Sequence, residues 1–355
     1  MSKKVFQVMG RRAGGLVARH VETLSAYVPG EQPKARGVVK LNTNENPYPP
    51  SPECAKVLKG FSLDRLRRYP DPVFAELRAE LARIAGARPE CVFVGNGSDE
   101  ILSIAARTFV EDDGAIASLD PSYSLYKTLA AIRNVKWVGP KGGSPSLFLL
   151  TNPNAPTGEF REPEDVAAFA KSFPGVVIVD EAYADFARAN CLALASAPRN
   201  RNVIVMRTFS KSYSLAGLRV GWCVGPKPLI DAMYKVKDSY NVDAVAQAVA
   251  LAAARDQGWM RANTARIVKT RRRLSDALSS RGWDVIPSEA NFVFAKPPPR
   301  AKAADLFARL KAKNIFVRYF PGPKTGDRLR ITIGTDAQTR KLLAALDEFV
   351  PPARA

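Results

Sequence analysis

Short apolar runs recur through the middle of this 355-residue chain, at Cys91–Val94, Leu147–Leu150, Val176–Val179, Val203–Met206 and Val220–Val224. A run of four or five aliphatic residues with no polar alternation is the pattern of a strand covered on both faces. The stretches between the runs are long enough for crossover helices, so the strands can lie parallel. The pattern predicts an α/β fold on a largely parallel sheet. In open sheets of this kind ligands bind beyond the carboxyl ends of the strands. The residues that follow each run therefore carry the functional argument.

Around this centre other elements are readable. An amphipathic helix is expected from Pro72, with Phe74, Leu77, Leu81 and Ile84 on one face and Gly86 as its stop. From about Thr264 the pattern changes to a long helical stretch, then strand Phe292–Ala295, a helix near Ala301–Lys313, strands Ile315–Arg318 and Leu329–Ile333, and a final helix to about Val350. The expected organisation is an N-terminal arm over 1–40 packing on a small α+β domain at 264–355, with a large domain over 41–263 between them.

Composition narrows the chemistry. At 46% hydrophobic residues the chain can bury a large core, and no uninterrupted apolar stretch approaches the roughly 20 residues that span a bilayer. A soluble, cytoplasmic protein is expected. Cys54, Cys91, Cys191 and Cys223 lie far apart with no CxxC pair, and His20 is the single histidine. No zinc cage, disulfide framework or Ser-His-Asp engine assembles from that supply, so no metal is expected and the acid and base must come from elsewhere. The net charge of +19 is spread along the chain without a nucleic-acid-binding signature. It reads as a basic surface that can steer small anionic substrates.

Four strand-to-loop junctions carry candidate chemistry. The first is Thr208-Phe209-Ser210-Lys211-Ser212-Tyr213, continuing through Leu218-Arg219. A lysine just past a strand end, among small and apolar neighbours, sits where its pKa can fall and its amine become nucleophilic. Ser210 and Arg219 flank it with a hydroxyl and a cation, groups that hold a phosphate. The second junction ends the Val176–Val179 run in Asp180, followed by Glu181, Ala182 and Tyr183. A carboxylate there can keep a cofactor's pyridine nitrogen protonated, or it can simply cap the next helix.

The third junction, Thr151-Asn152-Pro153-Asn154-Ala155-Pro156-Thr157-Gly158, places Asn152 where its amide can meet a ring hydroxyl, and either proline can carry a cis bond. The fourth, Gly95-Asn96-Gly97-Ser98-Asp99-Glu100, lies between a strand and a helix. Its free N–H groups can cradle phosphate, and a plain helix-entry turn has the same sequence.

The order of these four segments resembles that of the fold-type I, class II pyridoxal-phosphate (PLP) aminotransferases, and among them the histidinol-phosphate aminotransferases, from Tyr27 to about Gly334. The resemblance implies a large domain with a mostly parallel central sheet plus a smaller α+β domain, PLP as cofactor, and a homodimer. It implies that Lys211 holds PLP as an imine and shuttles the proton, that Asp180 pairs with the ring nitrogen, that Asn152 and Tyr183 bond the ring oxygen, and that Tyr123 stacks on the ring. Phosphate contacts fall on Gly97, Ser98, Asp99, Thr208, Ser210 and Arg219, with Tyr69 reaching the neighbouring subunit's phosphate. Substrate contacts fall on Tyr27, Asn44, Glu45, Asn152, Arg318 and Arg330.

Ala155 stands where such enzymes often have asparagine, with little effect expected because Asn152 is retained. The reaction implied interconverts L-histidinol phosphate and 2-oxoglutarate with imidazole-acetol phosphate and L-glutamate. An aromatic aminotransferase and a threonine-phosphate decarboxylase-like lyase share most of these residues.

Overall fold

The computed structural model describes residues 15–24, 30–33, 35, 37–140, 142–197 and 199–351. Strand β1 (Val39–Lys40) stands apart from the central sheet. The next seven strands form it: β2 (Val92–Gly95), β3 (Ala115–Ser118), β4 (Lys136–Val138), β5 (Leu147–Thr151), β6 (Val176–Asp180), β7 (Val203–Thr208) and β8 (Gly221–Val224), in the spatial order β2-β8-β7-β6-β5-β3-β4. Every pairing is parallel except the two made by β8, which runs against both β2 and β7. Six strands thus end at one edge of the sheet, and the reversed strand begins there.

All five apolar runs lie in strands, with boundaries shifted by a residue or two: Cys91 closes a short 3₁₀ turn before β2, and Val220 precedes β8. Alternate residues feed two separate cores. Val94, Phe148, Val177, Val179, Val203 and Val205 pack on one face of the sheet, and Phe93, Ile116, Leu149, Ile178, Ile204 and Met206 on the other. Strand β3 reads Ala-Ile-Ala-Ser and β4 is three residues long, so neither offers the continuous apolar run that marks the others.

The helix expected from Pro72 spans Ala75–Ala85; Phe74 caps it in a left-handed conformation and Gly86 ends it in another (φ 62°). The C-terminal half is built on a four-stranded antiparallel sheet of β9 (Asp284–Ile286), β10 (Phe292–Lys296), β12 (Arg318–Tyr319) and β13 (Leu329–Thr332), ordered β12-β13-β10-β9. Its long helix begins at Gln257, seven residues before the change of pattern in the sequence. The single strand expected over Ile315–Arg318 is two: β11 (Ile315–Phe316) pairs in parallel with β1, and β12 pairs with β13. Chain entering at Val39 is thereby stitched to this second body.

One close approach decides how the edge strand meets the helix that follows it. A Cβ on Gly221 would stand 2.7 Å from the Ser98 backbone nitrogen and 2.8 Å from the Gly97 carbonyl carbon. Backbone cannot retreat as a side chain can. Gly221→Ala is expected to cost about 2 kcal/mol, the middle of the range for overpacking a filled interior, measured as a lower urea midpoint with unchanged slope.

Candidate active site

The carboxyl ends of β2, β3, β5, β6 and β7, the loop before β8 and residues of the second body surround one cavity of about 540 Å³. At its floor is Asp180, the last residue of β6 and 4% exposed. Its Oδ2 accepts from the Tyr126 hydroxyl at 2.8 Å and its Oδ1 from the Ala182 N–H at 3.1 Å. Burial pushes the carboxyl up to about 6, against both hydrogen bonds. Tyr126, fully buried on helix Leu125–Arg133, also shares a hydrogen bond of 2.6 Å with Thr151. Nothing in its sequence context marks Tyr126; only the fold brings it under Asp180.

Lys211 lies in the loop after β7, with its Nζ donating to the Thr43 carbonyl at 3.2 Å and standing 5.8 Å from the centre of the Tyr183 ring. The loop is tied on two sides. Above, Asn46 Nδ2 donates to the Lys211 and Ser212 carbonyls at 3.1 and 3.2 Å. Below, Ser212 Oγ donates to Asp185, whose other oxygen accepts from Arg207 Nη1 at 2.6 Å. Arg207 is buried in β7 and also donates twice to Glu181 Oε2, at 2.8 and 2.9 Å. Burial works against its charge, but the two carboxylates outweigh that and hold the guanidinium above its ordinary value. An arginine inside an otherwise apolar strand was the available signal for this tie.

One end of the cavity gathers groups suited to an oxyanion. Ser98 opens the 12-residue helix Ser98–Phe109, whose free N–H groups and dipole favour negative charge. Thr208, Ser210 and Arg219 complete this end, with Arg219 Nη1 donating to Ser210 Oγ at 3.3 Å and Nη2 lying 3.6 Å from Asp99. Gly97 does not line the cavity; it makes room for the guanidinium, since a Cβ there would stand 2.5 Å from Arg219 Nη2. Tyr123 lies over the same region, its hydroxyl 3.4 Å from Asp99 and its ring edge-on to Tyr126.

The opposite end is cationic. Arg318 and Arg330 are directly opposed residues on β12 and β13, both facing the cavity with Phe320 beneath each guanidinium at 5.1 Å. Like charges facing across two strands repel, so the pair favours an anion between them. Arg330 Nη2 donates to the Asn42 carbonyl at 2.9 Å, and Glu45 lines the cavity while paired to Lys40 at 2.6 Å.

Besides Gly97, two expected contacts, Asn152 and Asn44, are placed elsewhere, while Tyr69 is set away from this chain's own cavity as a contact to a second subunit requires. Asn152 is fully buried and faces away: its Nδ2 donates to the Arg161 carbonyl and its Oδ1 accepts from the Arg161 N–H, so it staples its own loop and has no amide left for a ligand. Both prolines of that loop follow cis bonds, and it is Ala155 that lines the cavity. The expectation that Asn152 compensates for Ala155 therefore fails on geometry. Asn44 is 1% exposed and sits behind Tyr183, not in the cavity. Tyr69 is 79% exposed and remote from this chain's cavity, stacked on Tyr240 at 4.3 Å. Tyr27 lies outside the described residues.

Residues 36–346 match the family model for class I and II aminotransferases. The chain belongs to that family. Curated relatives include histidinol-phosphate aminotransferase 1 of a Nostoc species, 42% identical over 345 residues that cover 93% of this chain and 97% of the relative. Another is histidinol-phosphate aminotransferase 2 of Burkholderia mallei, 43% identical over 349 residues with the same coverage. Among solved structures, the histidinol-phosphate aminotransferase of Sinorhizobium meliloti in complex with pyridoxal 5'-phosphate superposes with a TM-score of 0.85 at 26% identity, over 95% of this chain and 98% of that one. The aminotransferase thus has the fold-type I architecture expected from its sequence.

Two substitutions probe the floor of the cavity. Tyr126→Phe removes the hydroxyl shared by Asp180 and Thr151 and is expected to cost about 1–3 kcal/mol of stability in urea. Asp180→Asn is expected to raise the thermal midpoint of the cofactor-free enzyme above about pH 6 and to converge on the parent near pH 4. Through that window the unfolded chain's carboxyl ionises while the folded one keeps its proton, so the parent loses stability progressively from about pH 4 and has lost it in full above about pH 6. Thermal midpoints recorded between those limits check the sign.

Proposed function

We propose that this enzyme transfers the amino group of L-histidinol phosphate to 2-oxoglutarate, giving imidazole-acetol phosphate and L-glutamate in histidine biosynthesis, with pyridoxal phosphate as cofactor. The observation that carries the reading is the arrangement of one cavity: a tethered lysine amine and a buried carboxylate between an oxyanion end and a pair of opposed arginines. The residues fit the cofactor, since the room left at Gly97 sets Arg219 beside Ser210 at the helix N-terminus and the buried Asp180 carboxylate, hydrogen-bonded only by neutral groups among the described residues, suits a cationic ring nitrogen.

In this reading the cofactor phosphate is held by the Ser98 turn, Thr208, Ser210 and Arg219. Asp180 faces the pyridine nitrogen, Tyr183 donates to the ring oxygen, and Tyr123 covers the ring. Bound pyridoxal phosphate supplies an aldehyde that condenses with amines and a ring that withdraws electrons from the bond being broken. Lys211 Nζ, unable to drift because its loop is tied by Asn46 and by Asp185, takes and returns the proton in both half-reactions. Asp180 keeps the ring nitrogen protonated by its charge.

Arg318 and Arg330 take the substrate's far anion, and a guanidinium fork accepts either a carboxylate or a phosphate, so two donors can share the site. Glu45 completes the substrate side. We also read the chain as an arm over 1–40, a large PLP-binding domain over 41–263 and a small domain over 264–355.

The enzyme is proposed to act as a homodimer. Leu63, Leu66, Tyr69, Val73 and Tyr240 are all exposed, beside a groove of about 490 Å³ whose lining mixes Val57, Phe61 and Leu251 with Arg65, Glu76 and Arg255. Such a face suits a second copy, which would receive Tyr69 near its phosphate end. No helix among the described residues is long and apolar enough to cross a membrane, in keeping with a cytoplasmic setting.

The test is the visible spectrum of the purified holoenzyme. L-Histidinol phosphate and L-glutamate are each expected to bleach the cofactor band, and 2-oxoglutarate to restore it. A kcat/KM favouring phenylalanine over histidinol phosphate would assign the enzyme to aromatic amino acids instead. Lys211→Ala is expected to retain the cofactor and lose turnover by about 10³-fold or more, because one amine serves both cofactor attachment and proton transfer. Sedimentation at micromolar concentration checks the dimer, and a fully active monomer contradicts it.

A further inference from the structure

Asn44 is buried, polar and one residue from the cavity wall, and its backbone is left-handed (φ 56°). Each of its own hydrogen-bonding groups has a partner. Its N–H donates to Thr332 Oγ1 at 3.0 Å, its carbonyl accepts from Asn291 Nδ2 at 3.0 Å, its Oδ1 accepts from the Thr332 hydroxyl at 3.0 Å, and its Nδ2 donates to the Tyr183 hydroxyl at 2.9 Å.

The polarity of this chain is fixed at its far end. Thr332 Oγ1 already accepts the Asn44 N–H and has no partner besides Asn44 among the described residues, so its proton goes to Oδ1. Turning the amide over would aim two donors at the Thr332 oxygen and leave its proton without an acceptor. An amide NH₂ can only donate. The Tyr183 oxygen therefore receives a hydrogen bond from behind, and its own proton is left to point forward.

Forward is the cavity. Tyr183 is 8% exposed, braced edge-on by Phe292 at 5.1 Å, and the Lys211 amine stands 5.8 Å from its ring centre. The neighbouring stretch of wall is Ala155, a methyl group, and Asn152 is turned away, so neither offers a competing amide.

We propose that Asn44 is a positioning residue which commits Tyr183 as a hydrogen-bond donor into the cavity, through the one-way relay Thr332 to Asn44 to Tyr183. The relay joins β13 of the second body to the loop after β6. It rests on the reading of Tyr183 given above, as the residue that donates to the cofactor's ring oxygen. A donor at that oxygen favours its charged form, so losing it raises the pH at which the bound cofactor's visible absorbance titrates.

The experiment measures that midpoint, together with the thermal midpoint of the cofactor-free protein, in the parent, Tyr183→Phe, Asn44→Gly, Asn44→Asp and the Asn44→Gly/Tyr183→Phe double variant. Glycine and aspartate both tolerate the left-handed backbone. Glycine deletes the amide, and aspartate keeps the shape but turns the donor into an acceptor that competes for the Tyr183 proton. Tyr183→Phe is expected to raise the absorbance midpoint by roughly one unit. Asn44→Gly and Asn44→Asp should each raise it by most of that amount, and the double variant should shift no further than Tyr183→Phe alone.

A shift in Tyr183→Phe with none in either Asn44 variant overturns the relay. So does an Asn44→Gly shift that adds in full to that of Tyr183→Phe. If Asn44→Gly does not fold, Asn44→Asp and the Asn44→Asp/Tyr183→Phe double variant decide between these outcomes. Failure of the underlying site reading looks different: Tyr183→Phe would then leave the absorbance midpoint where the parent has it.

Discussion

The Arg207 guanidinium, buried at the junction of β6 and β7 between Glu181 and Asp185, is the interaction on which the position of Lys211 depends. A buried cation is tolerated only when paired and fully hydrogen-bonded, and removing one partner of such a group costs about 3–5 kcal/mol. Arg207 meets that condition by drawing two carboxylates from the segment after β6. One of them, Asp185, reaches across to Ser212 and holds the loop after β7. The strand pair, the Asp180 strand end and the lysine loop are thus fastened by one charge network. A flexible lysine becomes a fixed one because the backbone on either side of it is held.

The same economy governs the cavity's electrostatics. Its charges are segregated: a guanidinium, hydroxyls and a helix N-terminus at one end, a carboxylate at the floor, and two opposed arginines at the other end. Burial drives the floor carboxylate toward its neutral form, and the opposed arginines repel as like charges. Both strains are relieved by a ligand that is cationic over Asp180 and anionic at its two extremities. A positive net charge over the whole chain acts in the same direction, drawing anionic molecules toward the mouth.

How much of this was legible in the sequence follows from what each residue depends on. Strands β2, β5, β6, β7 and β8 were readable because they are buried on both faces, which leaves an unbroken apolar run. Lys211, Asp180, Ser98, Ser210 and Arg219 were readable because strand ends fix where the next residues go. Side-chain direction inside an irregular loop was not readable, and so Asn152 was assigned a ligand contact that its bonds to Arg161 exclude. Asn44 was expected in the cavity and lies one layer behind it, because its left-handed backbone turns the amide toward Tyr183. Tyr126 and Asn46 act across 54 and 165 residues of sequence, distances at which no local pattern speaks. The start of helix Gln257–Ser279, seven residues before the change of pattern at Thr264, was not readable because the helix is polar over much of its surface and continues from the helix before it with only Asp256 between.

The chemistry proposed for the cavity depends on a single nitrogen, which covalent mapping locates directly. Reduction of the holoenzyme with borohydride, followed by proteolysis and mass spectrometry of the peptides, locates the lysine that carries the pyridoxyl group. The prediction is one labelled residue, Lys211, at close to one group per chain. Label on another lysine, or none above background in protein that binds the cofactor, contradicts the role assigned to Lys211 and to the network that holds it.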